Sequence, residues 1–160
     1  MNQYICHLLL AACVGIMLFF TIAVAPSIFK VLPAEWAAKY VRAFFPKYYL
    51  FLGILSTVAT FLAGSLITLQ ILFACSVLLF FSFIWLTPSI NEARDEGRQR
   101  KFQMLHALSV LLNFAVMCLF IYVLVVDFSQ KTMHPNVSSD TLGLLSRTNA
   151  VMPSIARMPS

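Results

Sequence analysis

Three histidines, four cysteines and six acidic residues are the side chains with which this chain could do chemistry. Their distribution is restrictive. There is no glycine-rich phosphate loop, no Cys-x-x-Cys and no pair of carboxylates placed for acid–base work. The six acids all lie outside the long apolar stretches, where coupled pumps keep an ionisable group. What remains within those stretches is His7, His106 and the thiols Cys6, Cys13, Cys75 and Cys118. Cys6, His7 and Cys118 fall at similar depth, with Met117 nearby. Thiolate, thioether and imidazole are soft enough ligands for copper(I). The plainer reading is that cysteines and methionines in an apolar run fill a core. A second group, His106, Ser109 and Asn113, recurs at helical spacing as a polar stripe. In lipid such groups need partners. They read first as interhelical hydrogen-bond donors and acceptors, and second as a buried site for a ligand or quinone. No catalytic residue and no cofactor is expected, with copper as the alternative.

The elements that position these residues follow from composition. The chain is 61% hydrophobic and 11% charged, with mean hydropathy +0.87. An ordinary soluble domain carries roughly twice that share of charge. A membrane helix needs about 20 mostly apolar residues. The first such run is Tyr4–Ala25. The next, Tyr48–Ile90, is 43 residues without Asp, Glu, Lys or Arg and must hold two spans, turning near Gly64-Ser65-Leu66-Ile67. The fourth is Phe102–Val126. The spans are expected to lack interior prolines. Leu10-Ala11-Ala12-Cys13 imitates a lipoprotein cleavage site, but no basic residue precedes it and the apolar run continues, so an uncleaved helix is expected. Counting about 1.5 Å per residue along each helix, His7 and His106 lie near opposite membrane faces, roughly 20 Å apart. One metal or haem cannot take both.

The connecting segments carry the charge. Lys30, Lys39, Arg42 and Lys47 lie between spans 1 and 2, and Arg94, Arg98, Arg100 and Lys101 between spans 3 and 4. The net charge of +5 therefore points to cytoplasmic loops rather than nucleic acid, with both termini periplasmic. In Ala34–Phe45, Trp36, Tyr40 and Phe44 recur every four residues opposite Glu35, Lys39 and Arg42. This predicts a short amphipathic helix along the headgroups, ended by Pro46, with Tyr48 and Tyr49 as interfacial anchors. Asn91–Lys101 reads as a solvated connector. Residues 1–127 then form a four-span domain, and 128–160 a polar tail. The tail is too short for its own core and is expected to lean on a neighbouring chain through Leu142, Leu144 and Leu145.

An ordered set of residues carries a family likeness: Gly15, Phe19-Phe20, Ala25-Pro26-Ser27-Ile28-Phe29, Phe45-Pro46-Lys47-Tyr48-Tyr49, Trp85-Leu86-Thr87-Pro88-Ser89-Ile90-Asn91, Arg94-Asp95, Phe102, Leu105-His106, Ser109 and Asn113. Over residues 4–126 it resembles the transmembrane-protein-205-like family, a bacterial four-helix membrane domain of unknown function. More distantly it is similar to the copper-resistance protein D superfamily. The resemblance implies an all-α integral membrane four-helix bundle and no established activity. Its shared positions gather at one end: Pro26, Phe29, Pro46, Tyr48, Tyr49, Trp85, Pro88 and Arg94.

The resulting expectation is an accessory or structural subunit, not an enzyme, in the bacterial inner membrane. Its partners would be lipid and other membrane subunits, and not nucleic acid. The alternative is a copper-handling protein using Cys6, His7, Met117 and Cys118. A carrier of an uncharged solute would require several copies.

Overall fold

A computed structural model describes residues 2–133, and the side chains through 127 and at 129. The described residues are helical with three short connections. Helix α1 (Asn2–Phe19) passes through a π turn, Phe20–Val24, into α2 (Ala25–Val31). Helix α3 is Ala34–Phe61. Helix α4 (Leu66–Phe81) passes through a second π turn, Ser82–Leu86, into α5 (Thr87–Asp95), and α6 is Gln99–Met133. Four helical stretches are long and apolar enough to cross a membrane: Asn2–Val31, Ala34–Phe61, Leu66–Asp95 and Gln99–Asp127. Between 22% and 33% of each apolar window is buried inside the bundle, so most of that surface faces outward. In water this would be prohibitive; in hydrocarbon it costs nothing. The chain is an all-α integral membrane protein.

The core follows heptad-like spacing. On α1 the buried positions are Cys6, Leu10, Cys13 and Met17, alternating steps of four and three. They meet Leu52 and Ala59 of α3, Leu72, Cys75 and Leu79 of α4, and Val116, Phe120 and Val123 of α6. Gly53 brings α3 and α4 together, since a methyl group there would sit 3.3 Å from the Phe80 ring. Beside it the Ser56 and Ser76 hydroxyls meet at 2.9 Å. The turn between α3 and α4 is Leu62–Ser65. Ser65 closes it as an N-cap, its hydroxyl accepting the Thr68 N–H at 3.1 Å.

Prolines separate expectation from structure. Pro46 does not end a short amphipathic helix. It lies inside α3, which runs unbroken from Ala34 to Phe61. An interior proline costs about 3 kcal/mol in water. Here aromatic packing holds the two sides in line: Phe20 of the first π turn stacks on Phe44 at 4.8 Å and contacts Phe45 and Tyr48 at 5.5 and 5.3 Å. The amphipathic pattern itself is present within this longer helix. Lys39 pairs with Glu35 at 2.8 Å and lies over Trp36.

Pro26 and Pro88 also lie inside continuous helical spans, contrary to expectation. The π turn just upstream of each is the physical reason. A proline has no N–H for the carbonyl four residues back and its ring clashes there. The wider turn steps the ladder out of phase: Ala25 N–H bonds the Phe20 carbonyl and Thr87 N–H the Ser82 carbonyl. Each proline then begins a new α segment at a position where its missing donor costs little. Hydroxyls take up neighbouring carbonyls: Thr21 donates to Met17, Ser82 to Leu78, and Thr87 to Ser82.

The second basic segment is also more ordered than a connector. Residues 91–95 belong to α5, and only Glu96–Arg98 link it to α6. Gly97, at φ +68°, closes α5: Arg98 N–H reaches the Ala93 carbonyl and Gly97 N–H that of Arg94. The expected tail, with Leu142, Leu144 and Leu145, lies outside the described residues.

Candidate functional site

A cavity of about 300 Å³ opens at the end of the bundle that carries the 32–33 and 96–98 connections. Its walls come from four elements: Phe29 of α2; Val41, Arg42, Phe45 and Tyr49 of α3; Thr87, Ile90, Asn91 and Arg94 of α5; and Phe102, His106 and Ser109 of α6. A deeper compartment of about 210 Å³ shares Phe29, Val41, Phe45, Tyr49, His106 and Ser109 with it. It adds Phe20, Ala25, Ile28, Val110 and Asn113, and is mostly apolar.

The floor is fixed by hydrogen bonds between α3 and α6. Tyr49 Oη and Ser109 Oγ are 2.9 Å apart, both residues buried. Tyr48 Oη donates to Asn113 Oδ1 at 3.2 Å. Two tyrosines expected as interfacial anchors are therefore 5% and 2% exposed, turned inward to meet the polar stripe. The mouth is fixed by charge. Arg42 of α3 grips Asp95 of α5 with both guanidinium nitrogens, at 2.5 and 3.2 Å. Arg98 binds Glu96 and, at 3.8 Å, Glu92. Arg94 is different. Its guanidinium lies over the Phe102 ring, 5.8 Å from the centroid, and Phe102 stacks in turn on the His106 imidazole at 5.9 Å. Among the described residues Arg94 makes no ion pair.

Phe29, Tyr49, Arg94, His106 and Ser109 thus converge, with Tyr48 and Asn113 on the deeper wall. Pro46 and Pro88 line a separate shallow groove with Phe83 and Glu92. Trp85 is outside the cavity, half-exposed and stacked on Phe81. Pro26 sits between the cavity residues Ala25 and Ile28.

The soft-ligand group is not brought together. Cys6 is buried and its thiol donates to the Ala59 carbonyl at 3.4 Å, while Cys118 faces outward. Met117 packs partly against the core. Among the described residues, no three His, Cys, Asp or Glu side chains group as metal ligands would. Cys13 and Cys75 are wholly buried in the apolar core, as packing residues. His7 sits next to Cys6, which bonds near the Leu62–Ser65 turn, at the far end of the bundle from His106.

Arg42 is the cavity residue that sequence reasoning missed. On its own helix it falls on a charged face, and its partner Asp95 is 53 positions away. One sequence signal was available. Ala25-Pro26-Ser27-Ile28 and Thr87-Pro88-Ser89-Ile90 are near-copies, each following a five-residue π turn. The first copy supplies Ala25 and Ile28, and the second Thr87 and Ile90. The cavity therefore takes residues from both Pro-Ser-Ile segments.

Comparison with known proteins gives a family without an activity. Residues 8–100 match the model of a domain of unknown function, DUF4149, and the chain belongs to that family. No curated protein and no solved structure matches it.

Proposed function

We propose that this DUF4149 membrane protein is a non-enzymatic binding protein that takes an amphiphile from the bilayer into the two-compartment cavity. One observation carries the reading: two mostly apolar compartments share a wall, and the outer one also carries charged and polar side chains. Ligand sites are mostly apolar clefts with a few fixed polar groups. This one has Asn91, Arg94 and His106 at the mouth and Phe20, Ile28 and Val110 within. Among the described residues the connections are two to four residues long and hold no separate domain. That favours an accessory role beside a larger membrane assembly. The positive-inside rule supports a cytoplasmic side for the basic residues that flank residues 32–33 and 96–98, and the likeness to a bacterial membrane family supports the inner membrane.

Ala38 lines the mouth and is small. In Ala38→Phe a ring should fill much of the cavity without touching the hydrogen-bonded floor. Titration of a neutral alcohol such as octanol should raise the melting temperature of the wild type by several degrees and leave Ala38→Phe unmoved. Equal shifts in the two proteins would refute the cavity as the binding place.

A further inference from the structure

We infer that the mouth of this cavity is a headgroup site for an anionic phospholipid, with Arg94 as the residue that holds the phosphate. The inference rests on the amphiphile reading above and adds the chemistry of the head. Its first support is the charge balance. Eight basic and four acidic residues lie between Lys30 and Lys101, all near this end. Every acid among them is engaged elsewhere: Glu35 with Lys39, Asp95 with Arg42, and Glu92 and Glu96 with Arg98. Among the described residues, Arg94 is left as a cation that lines the cavity without a carboxylate.

Its geometry is the second support. A guanidinium that lies over an aromatic ring without a carboxylate partner has N–H groups to offer, and its planar fork matches two phosphate oxygens. Arg94 lies over the Phe102 ring, 5.8 Å from its centroid, and His106, stacked in turn on Phe102, lines the same cavity. Asn91, about one turn before the end of α5, offers an amide for a glycerol hydroxyl.

The third support is depth. The mouth lies beside the 96–98 connection, where phosphates of a lipid leaflet sit, and the inner compartment leads away from it between apolar side chains. A phosphate at Arg94 therefore leaves an acyl chain pointing toward Phe20, Ile28 and Val110. A soluble phosphate would use the mouth and leave the inner compartment unfilled.

The test uses the full chain in nanodiscs of phosphatidylcholine with a minor share of phosphatidylglycerol, and native mass spectrometry of the released protein. The wild type should retain one phosphatidylglycerol about tenfold in excess of its share. Arg94→Gln should lose that preference, while the octanol-induced stabilisation persists and shows the cavity intact. Lys47→Gln, which removes a charge at the same end outside the cavity, should keep the preference. Retained preference in Arg94→Gln, or equal loss in Lys47→Gln, would overturn the site and leave the amphiphile reading standing. Displacement of the lipid by free glycerol phosphate would also overturn it. If octanol stabilises neither wild type nor variant, the broader reading falls as well.

Discussion

At the scale of single residues, the Tyr49–Ser109 pair sets the floor of the cavity. Both are buried, and each hydroxyl is the other's partner at 2.9 Å. Removing one member leaves a polar group unpaired, a cost of about 1–3 kcal/mol. Removing both leaves no unpaired group. Ser109→Ala should therefore destabilise the protein by about 1–2 kcal/mol, and adding Tyr49→Phe should recover part of the loss. Unfolding of the single and double variants in detergent, analysed as a cycle, measures this; strictly additive losses would argue against the pair. The residue scale is also where sequence reading was most uneven. His106, Ser109 and Asn113 stood out because polar groups in an apolar helix demand partners. Their partners did not, because tyrosine has two habits in a membrane protein, at the interface and in the core, and spacing does not distinguish them. Arg42 escaped for a related reason: its importance lies in a contact from α3 to α5 that no local pattern records.

At the scale of elements, the π turns are the least expected feature. Run length and charge showed that there are four spans and placed the fourth within three residues, since roughly 30 Å of hydrocarbon dictates the length, but the second begins at Ala34 rather than Tyr48. Where the spans end was misread. A proline in an apolar run reads as a stop, yet three helical spans pass through one. The duplicated Pro-Ser-Ile motif was the available sign that something regular happens at Pro26 and Pro88. If the second π turn is one extra residue accommodating Pro88, removing both causes together should leave an ordinary helix with its two ends in register. Ile84, 68% exposed in that turn, is the residue to delete. In a Cys118→Ala background, cysteines replacing Arg42 and Asp95 should be joined by a short bifunctional thiol cross-linker, since the ion pair holds these two positions face to face. The cross-link should persist when Ile84 is deleted with Pro88→Ala. It should fail when Val77 of α4 is deleted instead, because α5 would then rotate by about 100°. Equal failure in both would show that the turn sets the register of α5 rather than absorbing a residue.

At the scale of the whole molecule, the first and third spans each run through a π turn to a Pro-Ser-Ile segment and deliver residues to one cavity. The buried core runs from Cys6 to Met17 on α1 and from Val116 to Val123 on α6, away from that cavity. Composition showed a membrane bundle plainly, but nothing in a hydropathy profile tells a packed bundle from one with an opening. The amphiphile-binding account is tested most directly by where a membrane-borne photoreactive lipid attaches. A phosphatidylglycerol carrying a diazirine in its acyl chain, activated in bilayers holding the full chain, should label the buried cavity residues Phe20 or Ile28, and that labelling should disappear in Ala38→Phe. Adducts confined to outward residues such as Phe61, Leu66 and Ile67, unchanged by that substitution, would contradict it.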